Sequence, residues 1–334
     1  MTFLDGILVA AIVGMLFCVR SVDNDYASFE RRTTNSLRGV AMVGIMLHHI
    51  HNNLGFFSPI LSQVGYLATG LFFFISGYGN TLSIGRRNDI KINWLMNKAI
   101  KIYIPFIVSY VLYIIMLAIG YRDMIPNFMR NIFNLVTVTL PNQVSWFPKI
   151  ILLCFIIQWV AHKITSKNVE RANVIILITI CAFIIFIKMK NWDSYWTSSV
   201  LCYPTGCCMA ESIKVKRIAK FIRNKRMLSF LSCGVCFCLL FMGTRYCYDL
   251  SIICSVAFSV TCYCFTQLFS VKNRLMEWIG KNSFEFYVFH IVCLQGWMCV
   301  SNVYIYSLLV LVTSIVMVCL YSEAKKIVIK NKGK

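Results

Sequence analysis

Long apolar runs constrain this chain most, because about 17 to 25 apolar residues can cross a bilayer as one helix. Hydrophobic residues make up 58% of the 334-residue sequence and charged residues only 14%, whereas soluble domains hold about 45–50% and 25%. This composition excludes a soluble enzyme, a disordered tail and a secreted disulfide scaffold. It predicts an all-α, polytopic integral membrane protein. The eleven predicted spans are 2–19, 36–57, 64–85, 100–119, 145–164, 172–189, 192–213, 227–243, 249–270, 283–300 and 303–322.

Lysine and arginine are distributed unevenly among the predicted loops. The formal net charge is +20, and 27 of the 33 basic residues fall in the alternate loops that share a side with the C-terminal tail. Basic residues concentrate in the cytoplasmic loops of membrane proteins. The sequence therefore predicts a multi-pass protein of the plasma membrane, with its N-terminus outside and its C-terminus in the cytoplasm. The same bias accounts for the basic charge without a nucleic-acid partner.

Two segments depart from the simple span pattern. No basic residue precedes 2–19, so we expect a retained first helix rather than a cleaved signal peptide. Residues 127–142 are too short and too broken for a span, and we expect them to be interfacial or re-entrant. Most of the 16 cysteines lie inside apolar runs, where a thiol behaves as a small hydrophobe, and they suggest no disulfide framework.

The second predicted span carries His48, His49 and His51. At 3.6 residues per turn, His48 and His51 share a polar, small-residue face with Gly44, Asn52 and Gly55, whereas His49 points to a different face. Ionisable residues inside a span are costly and are functional candidates by default. Arg38 precedes His48 by ten residues, about 15 Å of helix, which predicts His48 near the middle of the bilayer core.

The tenth predicted span carries a second candidate, His290, on one helical face with Ser283 and Tyr287. Lys281 precedes His290 by nine residues, about 14 Å, so His290 and His48 are expected at matched depth. Histidine suits proton transfer near neutral pH. The alternative is that either histidine is structural and bonds a neighbouring helix.

A zinc site is the other interpretation of the histidine cluster. His48 and His51 could share a metal ion, but no cysteine or further histidine cluster is evident in the sequence. We therefore predict no metal.

A basic cluster precedes the fourth predicted span. Lys98 and Lys101 are spaced i, i+3, and together with Arg38 they could bind an anionic ligand that arrives from the cytoplasm. The alternative is ordinary positive-inside anchoring of the helix end.

Five motifs together resemble the membrane acyltransferase-3 family, and they follow the family's order. They are an arginine ten residues before a histidine, an aromatic run ending in Ser-Gly-Tyr, a basic-x-x-basic segment ahead of a proline, a Trp-Phe pair and a Ser…Tyr…His pattern. They lie at 38–48, 71–78, 98–105, 145–147 and 282–290.

The resemblance implies one transmembrane domain over 1–334, with the motifs inside 36–300 and one helix added before a ten-helix core. It implies a membrane O-acyltransferase that moves an acetyl group from cytoplasmic acetyl-CoA to a hydroxyl of an extracytoplasmic polysaccharide or lipid-linked oligosaccharide. Acyl-CoA would be a donor substrate, and no cofactor would be bound. The implied catalytic residues are His48 and His290. The implied donor-binding residues are Arg38, Lys98 and Lys101, and the implied substrate-binding residues are Ser76, Trp146 and Tyr287.

The chain departs from the family pattern at three places. Many members have arginines where this sequence has Lys98 and Lys101, and lysine lacks the bidentate fork of arginine. Gly70 stands where some members carry an acidic residue. The span after Trp146 lacks the glutamate that accompanies an appended hydrolase-like domain in some members, so we expect no such domain here.

Two other functions stay open. A proton-coupled secondary transporter or flippase would also use mid-membrane histidines, but the sequence shows no inverted repeat. A non-catalytic family member is the third possibility. Within the acyltransferase hypothesis, the sequence leaves open whether His48 acts as a base or as a nucleophile.

A label at position 215 tests the predicted orientation. Loop 214–226 carries seven lysines and arginines, so the positive-inside rule puts it in the cytoplasm. We expect Val215→Cys, in a cysteine-depleted background, to react with a membrane-impermeant maleimide only after the cells are permeabilised. Labelling in intact cells would contradict the orientation.

Overall fold

The computed structural model describes ten stretches of the chain. They are residues 19–21, 29–55, 60–86, 91–120, 126–139, 146–166, 168–211, 221–222, 224–271 and 273–332. The first predicted span, 2–19, lies outside the described residues except for Val19. The prediction of one domain over 1–334 therefore stays a prediction.

The described residues form twelve helices and one short β-ladder. The helices are α1 (Arg31–Leu54), α2 (Leu61–Gly85), α3 (Ile92–Gly120), α4 (Phe128–Val136), α5 (Trp146–Ile164), α6 (Val169–Met189), α7 (Cys202–Glu211), α8 (Arg226–Gly243), α9 (Ser251–Leu268), α10 (Arg274–Lys281), α11 (Ser283–Gly296) and α12 (Val303–Lys332). Single 3₁₀ turns lie at Ser194–Trp196 and Tyr248–Leu250. Strands β1 (Val19–Ser21) and β2 (Phe269–Val271) pair in antiparallel fashion, with Val19 opposite Val271.

Local sequence signals mark several helix ends. Asn127, Asn168 and Asn273 precede α4, α6 and α10, and each accepts a hydrogen bond from a backbone amide in the first turn. Such caps satisfy amides that have no partner within the helix. Gly55 follows α1 with φ at 65°, a left-handed conformation that glycine adopts at low cost.

Seven of the described helical segments are long and apolar enough to cross a membrane. The all-α, membrane-embedded prediction is confirmed, whereas the count of eleven spans stays a prediction. Three predicted spans correspond to helices that are shorter or more polar than expected. Helix α1 carries three arginines and three histidines, α7 has 10 residues and α11 has 14.

Predicted span 192–213 is helical mainly in its second half, because hydroxyl groups hold irregular backbone before α7. The Ser255 hydroxyl of α9 donates to the Ser198 carbonyl over 2.7 Å, and the hydroxyls of Ser199 and Thr69 of α2 are 3.0 Å apart. Non-helical backbone is tolerated at membrane depth where the protein buries it. The buried turn thus replaces the first part of the expected span.

Two glycines allow α2 and α7 to approach closely. A Cβ atom on Gly77 of α2 would collide with the Tyr203 carbonyl of α7, and one on Gly206 of α7 would collide with the Phe74 carbonyl of α2. Small residues let helix backbones pack where lipid provides no hydrophobic drive for association. The pair therefore fixes α7 against the aromatic run of α2.

Helix α4 lies beside the middle of α3, and the prediction that its segment is interfacial or re-entrant in the membrane stays a prediction. The Tyr110 hydroxyl of α3 donates to the Asn131 side chain over 2.6 Å, and Tyr103 donates to the Val136 carbonyl over 2.5 Å. Tyr103 lies 17 residues, about 26 Å, before the end of α3 at Gly120. The segment thus runs back along α3 instead of capping its end.

We expect Gly206→Ala to destabilise the fold, because the added methyl meets a backbone carbonyl that cannot rotate away. Overpacking typically costs about 1–3 kcal/mol. The unfolding midpoint in detergent should fall by several degrees. Gly234→Ala on α8 is the control, since nothing lies within 4 Å of its added Cβ. Equal midpoints for the two variants would refute the close-packing account.

Candidate active site

Three histidine rings from two helices meet at one place, and we call them the histidine group. The ring centroid of His49 lies 5.3 Å from that of His290 on α11 and 5.1 Å from that of His48. The expectation that His49 faces away from the site is wrong, because α11 packs on the side of α1 that carries His49. His48 is joined to His290 through the ring of His49.

Two hydrogen bonds hold His48. Its Nδ1 lies 2.9 Å from the Leu61 carbonyl oxygen of α2, and its Nε2 lies 3.1 Å from the Asn52 side-chain nitrogen. A carbonyl oxygen can only accept, so Nδ1 carries the proton and Nε2 accepts from the Asn52 amide. Both ring nitrogens of His48 are therefore occupied.

His290 presents one open nitrogen. Its Nδ1 lies 3.0 Å from the Phe286 carbonyl, which fixes the proton on Nδ1. The buried Nε2 has no hydrogen-bond partner among the described residues. A buried acceptor without a partner is costly. The site thus contains an unprotonated nitrogen that a ligand hydroxyl or a water molecule could satisfy.

His49 lies in the centre of the group and is half-buried, as His48 is, whereas His290 is fully buried. Within the described part of the chain, neither ring nitrogen of His49 makes a hydrogen bond. Its neighbours on either side are the rings of His48 and His290. Of the three histidines, His49 combines open nitrogens with partial exposure.

Aromatic rings connect the histidine group with the start of α5. Tyr287 lies 5.8 Å from His290 and 5.2 Å from Phe147, measured between ring centroids. Trp146 lies 6.1 Å from Phe147 and 5.9 Å from Tyr195 in the turn after α6. Tyr287 and Trp146, both predicted substrate-binding residues, therefore belong to one row of rings that reaches His290.

Ser76 lies three residues after Phe73, whose ring centroid is 6.4 Å from that of Trp146 and 5.0 Å from that of Phe147. It lies in α2, eleven residues or about 16 Å of helix beyond Gly65, which contacts the His48 ring. Ser76 is therefore distant from His48 along α2 but close to the stretch that packs on the aromatic row, and its role in substrate binding stays a prediction.

Arg38 lies in α1, ten residues before His48, and is half-buried. No acidic side chain among the described residues forms an ion pair with it. Among the described residues, the charge that acts on it is that of another cation, Arg31. A half-buried guanidinium with only a cationic neighbour is well suited to an anionic ligand.

Lys98 and Lys101 are neighbours on α3 by their i, i+3 spacing, but they differ in burial and in contacts. Lys98 donates to the Asn80 side chain over 2.6 Å, and its Nζ lies 5.7 and 5.5 Å from the ring centroids of Trp94 and Phe155. Lys101 is exposed on the outer face of the helix. The structure therefore holds Lys98 against α2 and α5, whereas Lys101 is exposed.

Lys98 begins a chain of buried polar side chains that the sequence analysis missed. Asn80 donates to the Tyr203 hydroxyl over 3.2 Å, and Tyr203 donates to Gln158 over 2.6 Å. Gln158 donates in turn to the Thr81 hydroxyl over 2.9 Å. Asn80 and Gln158 carry amide side chains inside apolar runs of the sequence, and this feature could have indicated buried hydrogen bonds between helices.

The model of the acyltransferase domain family matches residues 34–322, which is most of the chain. The chain belongs to this acyltransferase family. Searches of curated proteins and of solved structures gave no match.

The acyltransferase match encloses every residue predicted for the site, from Arg38 to His290. It confirms the resemblance that the five sequence motifs suggested. Together with the seven apolar helical segments, it describes a membrane-embedded acyltransferase. Within the described residues of the acyltransferase, no group of three or more His, Cys, Asp or Glu side chains is arranged to hold a metal ion.

Proposed function

We propose that this acyltransferase moves an acetyl group from cytoplasmic acetyl-CoA to a hydroxyl of an extracytoplasmic polysaccharide or lipid-linked oligosaccharide. The observation that carries the proposal is the histidine group, where His49 and His290 offer open nitrogens side by side. Acyl transfer to a hydroxyl needs a base at the point where donor and acceptor meet.

In the proposed reaction, a ring nitrogen of His49 takes the proton of the acceptor hydroxyl. The hydroxyl oxygen forms a bond to the thioester carbonyl carbon, and the carbon–sulfur bond then breaks. Coenzyme A leaves as a thiolate and receives the proton from the His49 imidazolium. A covalent acetyl-imidazole on His49 is the alternative route, in which the ring nitrogen attacks the thioester first.

His290 and His48 assist in different ways in this proposal. The open Nε2 of His290 accepts a hydrogen bond from a neighbouring hydroxyl of the acceptor and so orients the reacting hydroxyl toward His49. The two occupied nitrogens of His48 favour a supporting role beside His49. The prediction from sequence that His48 is catalytic stays open to test.

The donor approaches from the end of the bundle that carries Arg38 and Lys98. Arg38 is the stronger candidate for a phosphate of coenzyme A, because a guanidinium can bind phosphate through two parallel hydrogen bonds. Lys98 adds positive charge but is already bound to Asn80. The exposed position of Lys101 favours membrane anchoring over donor binding.

The acceptor meets the aromatic row on the other side of the histidine group. Tyr and Trp rings combine an apolar face with a polar edge, and sugar rings also have apolar faces bordered by hydroxyls. Trp146 and Tyr195 lie next to one another there, and Tyr287 continues the row to His290. This arrangement supports a glycan as the acceptor.

Single histidine variants test the proposed reaction. We expect His49→Ala to lower the rate of transfer from radiolabelled acetyl-CoA to membrane-associated glycans by about 10²–10⁴-fold, the usual contribution of a general base. His48→Ala/His290→Ala should be no slower than the slower of its two single variants, because groups that act as one unit are not additive.

His51→Ala, near the end of the same helix, is the control, and membrane insertion of each variant is checked by immunoblot. Full activity of His49→Ala would reject its role in the reaction. Uptake of intact substrate without label transfer by the wild-type protein would instead favour the transporter.

Neutralising Arg38 tests the donor site. We expect Arg38→Gln to raise the apparent KM for acetyl-CoA about tenfold or more, because a hydrogen bond to a charged group contributes about 1.5–3 kcal/mol. The kcat should change less, since contacts to a remote phosphate act on the ground state and transition state alike. Arg38→Lys should recover part of the loss.

Arg31→Gln removes the same charge from the first turn of the same helix and serves as the matched control. Equal KM values for Arg31→Gln and Arg38→Gln would show that Arg38 acts only through its positive charge and does not bind the donor directly.

A further inference from the structure

Gly65 of α2 lies directly against the ring of His48. A Cβ atom at Gly65 would lie 2.6 Å from Nε2, 2.7 Å from Cδ2 and 2.9 Å from Cε1 of that ring. Real Cβ atoms do not approach other heavy atoms this closely. The imidazole therefore occupies the space that any other residue at position 65 would fill.

The collision at Gly65 differs in kind from those at other closely packed glycines. Cβ atoms at Gly39, Gly77, Gly206 and Gly280 would meet backbone atoms of a neighbouring helix, so those glycines serve helix packing. The nearest atoms to a Cβ at Gly65 all belong to one histidine side chain. A side chain can rotate away from a methyl group, so a substitution here would move the ring and spare the fold.

Because the ring of His48 lies over Gly65, both of its nitrogens can form their hydrogen bonds. The Leu61 carbonyl lies one turn before Gly65 on α2, and it receives the Nδ1 proton over 2.9 Å. Asn52 of α1 reaches Nε2 over 3.1 Å. A ring displaced from Gly65 would lose this bridge between α1 and α2, and it would no longer support the ring of His49 at 5.1 Å.

We infer that Gly65 is a positioning residue of the acyltransferase: its missing side chain seats His48, and His48 in turn holds His49 in place. The role of His49 in this chain of contacts rests on the proposed function. The seating of His48 by Gly65 does not.

The test compares Gly65→Ala with Gly79→Ala, which lies on the same helix, is exposed and has nothing within 4 Å of the added Cβ. Both variants gain the same helix propensity. Two quantities are measured in the full-length protein. One is acetyl transfer from acetyl-CoA. The other is the rate at which diethyl pyrocarbonate modifies each histidine, resolved by mass spectrometry.

For Gly65→Ala we expect modification of His48 to speed up several-fold, because its nitrogens lose their partners. The kcat should fall about 10–100-fold, the scale of a misplaced group near the reaction centre, while the KM for acetyl-CoA stays the same. Gly79→Ala should match the wild type in both measurements. Gly65→Ala/His48→Ala should be no slower than His48→Ala, since the colliding ring is gone.

Two results would overturn the inference. In one, Gly65→Ala leaves the His48 modification rate unchanged, so that the ring has not moved. In the other, the ring becomes reactive while kcat stays at the wild-type value. A wild-type protein without acetyl transfer would contradict the proposed function alone, because the modification rates would still report whether Gly65 seats His48.

Discussion

Close helix approach at glycine is the constraint on which the arrangement of this acyltransferase depends. Lipid tails are as apolar as the helices, so association rests on tight packing and hydrogen bonds between helices. Gly39 of α1 and Gly280 of α10 remove the side chains that would keep those helices apart. Helix α11 begins directly after α10, so the same contact delivers His290 to His49.

Buried hydrogen bonds give this packing its specificity. The bond from Ser109 of α3 to the Val288 carbonyl, 2.8 Å long, ties α3 to α11 two residues before His290. On the other side of the bundle, Tyr203 joins Asn80 of α2 to Gln158 of α5. Unpaired polar groups in an apolar medium are costly, so each bond fixes one register of its helices. The candidate donor end and the histidine group thus belong to one rigid framework.

The sequence revealed the helical membrane architecture, the family and most residues of the candidate site, because these depend on local patterns. Apolar runs predicted the spans, and a histidine inside a span is conspicuous without any tertiary information. The face of α1 that meets α11 depends on packing across about 240 residues of chain, so helical periodicity chose His48 and set His49 aside. Periodicity also grouped Lys98 with Lys101, although only Lys98 turns inward.

The irregular parts were harder to predict for a similar reason. The turn before α7 is stabilised by hydroxyls of α2 and α9, which lie far away in the sequence. Gly65 also looks like any helical glycine until α1 is placed beside it. The roles of such residues depend on which helices pack together, and local sequence patterns do not show this.

The central claim is that donor and acceptor meet at the histidine group. The most direct measurement is a cryo-electron microscopy structure with a non-hydrolysable thioether analogue of acetyl-CoA. We expect the analogue's acetyl carbon to lie within about 4 Å of a ring nitrogen of His49, close to the separation of reacting atoms in productive complexes. The coenzyme A phosphates should lie beside Arg38. An analogue whose acetyl carbon lies elsewhere, with the histidine group unoccupied, would contradict the account.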